Sequence, residues 1–212
     1  MFCKNNIAYV LADVVPRDFD SGENGIVGTN TSMIAAVKAL RLFLDYLETQ
    51  PFPGEYSIKP FDLNRIGLLG LSNGAGIGTL LMSVDSRIQA GVLMGGSGNL
   101  PHTLAYSSDR QVDAFRSAQM ERLKLKTSDE FEKLMRHNIS VSPAQMAPLI
   151  DKSKVFQIII EPDFSVPTAD QIELWEGLGR PEHAVVEGSH TGAIVNAVYM
   201  NSILLREFLE KK

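Results

Sequence analysis

Five short apolar runs recur along the chain, and stretches with helical spacing lie between them. The runs are Ile7–Val15 (IAYVLADVV), Arg65–Leu71 (RIGLLGL), Ala90–Met94 (AGVLM), Val155–Ile160 (VFQIII) and Ala184–Glu187 (AVVE). A run that is apolar throughout, without alternation, suits a strand covered on both faces. Between the first two, Thr31–Thr49 places Ile34, Val37, Leu40, Leu44 and Leu47 three or four residues apart, which predicts an amphipathic helix. NGAGIGTLLMSV predicts a small-residue helix after Ser72. A capping-box pattern, TADQ at Thr168–Gln171 behind Pro167, opens another helix that runs to about Leu178, and Thr191–Leu209 reads as the last. This alternation predicts an α/β architecture: three layers, with a mostly parallel sheet carrying helices on both faces.

Two segments break the alternation. RDFDSGENGIVGTN, after the first run, reads as a glycine-dotted loop, and Pro51, Pro53, Gly54 and Pro60 exclude regular structure before the second. Leu100–Ser153 is richer in charge, and TSDE (Thr127–Glu130) and SPAQ (Ser142–Gln145) carry the capping-box signature of helix starts. At 212 residues the chain has room for one substantial core. The reading is a single domain, residues 1–212, with 100–153 as a helical lid insert.

Charge and cysteine usage narrow the partners. A formal charge of −5 with no Lys/Arg-rich run offers no field for nucleic acid or an anionic membrane. Cys3 is the only cysteine, so neither an intrachain disulfide nor a cysteine metal cluster can form, and the reading leans to the cytoplasm. The apolar run near the N-terminus ends at Asp13, is too short to span a bilayer, and has no small-residue cleavage site. Without H-E-x-x-H or clustered histidines, no metal is expected. Trp175 reads as core or pocket lining, and Met33, Met82, Met94 and Met200 as apolar packing.

Gly70-Leu71-Ser72-Asn73-Gly74 matches G-x-S-x-G and falls between a predicted strand and a predicted helix. A turn this sharp strains the backbone at the serine and brings neighbouring segments together, which is why glycines flank it. The hydroxyl then stands at the end of the sheet, where the helix's first amides can receive a developing negative charge. The N–H of Asn73 is the expected oxyanion donor. The bland alternative is that small residues merely let a helix pack tightly on a sheet.

A serine hydroxyl needs a base, and the base needs an acid to orient it; both belong at the carboxyl edge of a parallel sheet. Of four histidines, His102 and His137 lie in the charged insert and His183 precedes the fifth strand. His190 follows that strand and so shares an edge with Ser72. For the acid, Asp163 stands three residues past Ile160, with Glu161 and Glu187 as weaker alternatives. The order Ser72, Asp163, His190 is that of the α/β-hydrolase fold.

The sequence resembles the α/β-hydrolase family in GLSNG, in DFSVP at Asp163–Pro167, in GSH at Gly188–His190, and in Asp13 at the end of the first strand. The resemblance implies acyl hydrolysis without a cofactor, and it matches the insert to the family's lid position. It also implies what is missing. Members begin with three further strands and carry an HG-type loop that gives the second oxyanion N–H, so Ile7–Val15 matches their fourth strand and the fold is N-terminally shortened. Loss of one oxyanion donor costs about 10²–10³ in turnover. Each unpaired backbone group on the bared edge would cost about 1–3 kcal/mol. The first strand is therefore expected to move across to Arg65–Leu71, or a second copy to cover the edge as a homo-oligomer, or the chain to be part of a longer product.

The leading expectation is a serine hydrolase of small-molecule carboxylic esters, with Ser72, Asp163 and His190 catalytic. The alternative is a truncated or degenerate relative without catalysis. Gly74, Gly76 and Gly78 follow a strand too, but Thr79 breaks the G-x-G-x-x-G spacing of a dinucleotide site.

Overall fold

The structure is a computed structural model that describes residues 2–4, 7–9, 25–49 and 62–196. Four strands, β3 (Ile66–Leu71), β4 (Ile88–Met94), β5 (Val155–Ile160) and β6 (Glu182–Val186), form one parallel sheet in the order β3-β4-β5-β6. The four later apolar runs therefore become strands, and sequence order is spatial order. In register, Gly70, Leu93 and Gln157 lie side by side, as do Leu71, Met94 and Ile158. Side chains alternate between faces along each strand, so one face receives Leu68, Leu93 and Val155 and the other Leu69, Val92, Met94, Ile158 and Ile160.

Both faces are apolar because helices cover both. Helix α2 (Asn73–Val84) and α7 (Thr168–Gly177) cover the first, with α1 (Gly25–Thr49) contributing Leu44 to the same cluster. A helix over residues 190–196, α8, brings Ala193 and Ile194 onto the second. Between β4 and β5 the chain forms α3 (Leu100–Tyr106), α4 (Arg110–Leu123), α5 (Ser128–Asn138) and α6 (Pro143–Met146). Helices α3, α4 and α5 hold a core of their own, built on Leu104, Phe115, Phe131, Met135 and Ile139.

Several expectations change. The predicted loop before Thr31 is helical from Gly25, because Ile26 is buried in the insert's core and so rewards the additional turns. Ile7–Tyr9 (β2) does not join the parallel sheet; it pairs antiparallel with Phe2–Lys4 (β1) in a separate two-stranded sheet. A partner two residues away closes a far shorter loop than β3 would. Val10–Val15, Asp13, Met200 and the C-terminal part of the predicted last helix lie outside the described residues.

The capping boxes divide. Thr127 caps α5 by accepting from the N–H of Glu130 (3.2 Å), while Glu130 accepts from Lys126 N–H. Ser142 and Thr168 cap nothing: Ser142 donates to the Gly98 carbonyl (2.8 Å), and Thr168 lies inside α7 and donates to the Ile160 carbonyl (3.1 Å). In both, a nearby strand end or loop offered an acceptor that competed with the helix N-terminus.

Candidate active site

Ser72 sits between β3 and α2 with φ 53° and ψ −121°, in the positive-φ half of backbone space that side chains disfavour. Its N–H continues the ladder to the Met94 carbonyl (2.8 Å), and its own carbonyl accepts from Ala75 N–H (2.9 Å). The turn is held from both sides. Gly70 makes it feasible: a Cβ there would lie 2.6 Å from the Gly74 carbonyl oxygen and 2.8 Å from Ala75 Cα. The side chain of Ser72 makes no cap bond to α2, which leaves its hydroxyl for another partner.

That partner is His190, at the start of α8. Its Nε2 lies 2.8 Å from Ser72 Oγ, and its Nδ1 lies 2.6 Å from Asp163 Oδ2. A carboxylate only accepts, so Nδ1 carries the ring proton and Nε2 is the acceptor for the serine hydroxyl. Gly95 lets the ring in, since a Cβ there would meet His190 Cε1 at 3.1 Å. The Asp163 side chain is fully buried and that of His190 nearly so. Both oxygens of Asp163 are held: Oδ1 by the N–H groups of Ser165 (2.9 Å) and Val166 (3.0 Å), Oδ2 by His190 and by Gln171 Nε2 (2.9 Å).

Ser72, Asp163 and His190 are thus brought together from three separate turns. Asn73 opens α2, among the first-turn amides that have no acceptor within the helix. Glu161 and Glu187 are exposed, and neither is hydrogen-bonded to His190. His137 is exposed in the last turn of α5, and His183 lies within β6, its ring tilted against that of Trp175 with centroids 4.7 Å apart. Trp175 therefore packs at the α7–β6 corner, with its indole N–H on the Pro181 carbonyl (2.9 Å).

His102 enters a second pairing, with its Nδ1 2.8 Å from Asp170 Oδ1, while Thr103 donates to Asp170 Oδ2 (2.5 Å). Burial pushes the Asp170 carboxyl above its usual range, against the pull of the Thr103 hydroxyl and the His102 ring. This pairing ties α3 to α7. The next residues tie the insert to the acid's own turn: Ser107 Oγ donates to the Ser165 carbonyl (2.6 Å), and Ser108 N–H donates to that of Phe164 (2.7 Å).

Gln171, Gly95 and the Ser165 and Val166 amides escaped the sequence reading. Gly95 had a visible signal in GGSG, whereas Gln171 was absorbed into a capping pattern. Among the described residues no group of three or more His, Cys, Asp or Glu side chains could hold a metal ion, and no helix is long and apolar enough to cross a membrane.

This sheet order, with a serine turn after β3, an acid turn after β5 and a histidine after β6, is the α/β-hydrolase fold. Residues 57–160 match the family described as BAAT / Acyl-CoA thioester hydrolase C terminal. Among solved structures, an acetyl xylan esterase from Paenibacillus sp. is similar over 88% of this chain and 55% of its own, with TM-score 0.61 and 16% identity. The α/β-hydrolase GrgF from Penicillium sp. is similar over 84% and 72%, with TM-score 0.57 and 16% identity. An acylaminoacyl peptidase from Pyrococcus horikoshii is similar over 84% of this chain with TM-score 0.52 and 15% identity, but this chain spans only 27% of it. No curated protein sequence matches the chain.

Proposed function

We propose that this α/β-hydrolase is a serine hydrolase that cleaves carboxylic esters through an acyl-enzyme. The observation that carries the reading is the unbroken hydrogen-bond chain from Ser72 Oγ through His190 to Asp163 Oδ2. Ser72 Oγ attacks the acyl carbon while its proton passes to His190 Nε2. The tetrahedral oxyanion is received by the Asn73 N–H at the start of α2. His190 then returns the proton to the departing alcohol, and Asp163, buried and fixed at both oxygens, stabilises the imidazolium between the two transfers. Water, losing a proton to His190, attacks the acyl-serine; the carboxylic acid leaves and Ser72 recovers its hydrogen.

The helical insert, tied to the Phe164 and Ser165 carbonyls, acts in this reading as a fixed cap over the acid side of the site and not as a hinged lid.

A thioester is the second reading, and the match of residues 57–160 to the acyl-CoA thioester hydrolase C-terminal family favours it. The chemistry is the same with a thiol leaving. Both readings are tested by hydrolysis of p-nitrophenyl acetate and of acetyl-CoA by the folded chain beside Ser72→Ala. Turnover that disappears with Ser72 is the expected result, and the ratio of the two rates sorts ester from thioester. Equal rates in both proteins would refute the nucleophile.

A further inference from the structure

Gln171 lies on α7, yet its side chain is turned away from the helix into the acid's turn and is completely buried. Its Oε1 accepts from Ile160 N–H (2.9 Å), and its Nε2 donates to Asp163 Oδ2 (2.9 Å) and to the Val166 carbonyl (2.8 Å). One amide thus joins the strand end before Asp163, the carboxylate itself and the residue that closes the turn. The orientation of the amide is forced. Rotated by half a turn, its oxygen would face two acceptors and its NH₂ would face a donor. A carboxylate in its place would repel Asp163, and an apolar side chain would fill the volume without fixing anything. The helix backbone is itself secured from the sheet, where buried Gln157 donates to the Gln171 carbonyl (2.8 Å).

Resting on the serine-hydrolase reading, we propose that Gln171 is the positioning residue of the site. With two backbone amides on Oδ1 and Gln171 on Oδ2, the Asp163 carboxylate is oriented before His190 docks against it. His190 then meets a preset acceptor. Without Gln171, Oδ2 keeps only the histidine and the carboxylate turns about its remaining anchor.

The test compares the full chain with Gln171→Met, which keeps shape and loses both donors, and Gln171→Glu, which keeps the acceptor for Ile160. Folding is followed by near-ultraviolet dichroism and the urea midpoint. Kinetics with p-nitrophenyl acetate give kcat and KM, and the low-field proton resonance of His190 Nδ1–H is read directly. In folded Gln171→Met we expect kcat to fall about 10–100-fold with KM held within about twofold, as for loss of positioning without loss of binding. The resonance should move or vanish in both variants. A folded variant that keeps the wild-type resonance and kcat would overturn the proposal. So would a kcat that falls only in step with the folded fraction, or failure of both variants to fold, which would make Gln171 a packing residue. The resonance needs no turnover, so it tests Gln171 even if Ser72→Ala shows that the hydrolase reading is wrong.

Discussion

The two glycines of the serine turn differ, and replacing each by alanine separates their roles. At Gly70 a Cβ would meet the Gly74 carbonyl oxygen at 2.6 Å, Ala75 Cα at 2.8 Å and Ala75 N at 3.0 Å, all backbone atoms of α2 that no rotamer change can move. Relief requires α2 to retreat from β3 by roughly an ångström, and overpacking of this kind costs about 1–3 kcal/mol. With a urea slope of about 2–3 kcal/mol/M for a chain of this size, the midpoint should drop by about 0.3–1.5 M. The retreat also drags Ser72 away from His190, now at 2.8 Å, so turnover should fall further than stability accounts for. Gly74 is the control: no atom lies within 4 Å of its Cβ position, and alanine is the better helix former by up to about 1 kcal/mol. Gly74→Ala should keep or raise the urea midpoint. If Gly70→Ala unfolds with the wild type, or Gly74→Ala loses as much, the close approach of α2 to β3 is not what the first glycine is for.

Asp163→Asn should leave the fold intact and reduce turnover by up to about 10⁴, because the Ser165 and Val166 amides hold the side-chain oxygen and turn its NH₂ towards His190, which favours the wrong tautomer; kcat beside a urea melt checks both parts. The hydrogen bonds from Arg87 hold the Asp85 carboxyl below the usual aspartate range in the folded chain, outweighing its burial. Its contribution to stability is therefore present above the ordinary aspartate value and is lost as pH falls through the lowered one. Urea midpoints of Asp85→Asn should lie below wild type at neutral pH and converge with it in acid. The Tyr106 phenol, hydrogen-bonded to Asp129, is pushed up to about 12. The ultraviolet difference between wild type and Tyr106→Phe should show that ionisation, and Asp129→Asn should return it towards the ordinary tyrosine value near 10.

Strands were legible because burial on both faces leaves an uninterrupted apolar signature. VFQIII shows the limit of that rule: Gln157 belongs in it, and its amide serves the α7 backbone from inside the sheet. Ser72, Asp163 and His190 were legible because a parallel sheet puts every strand's carboxyl end on one edge, so position past a strand selects candidates. Gln171 was not, because a polar residue in the first turn of a helix has an ordinary explanation in capping. Only the spacing between β5 and α7 turns its side chain inwards. The helical first turns of α1 were hidden for a related reason: GIVGTN has weak helix propensity, and the cluster that buries Ile26 is built on Leu104, Phe115 and Phe131, about eighty or more residues later in the chain.

The histidine follows the least buried strand of the sheet, every residue of which is exposed or half-buried. Among the described residues β6 pairs only with β5, and it is the strand immediately before Gly188-Ser189-His190. An edge strand opens at lower free energy than the sheet's interior. The partners it must find, Ser72 and Asp163, lie 118 and 27 residues back along the chain. Competence at the site is therefore a readout of whether the sheet's last strand is docked. On heating, activity should fade while β3, β4 and β5 are still folded, and in refolding it should return last.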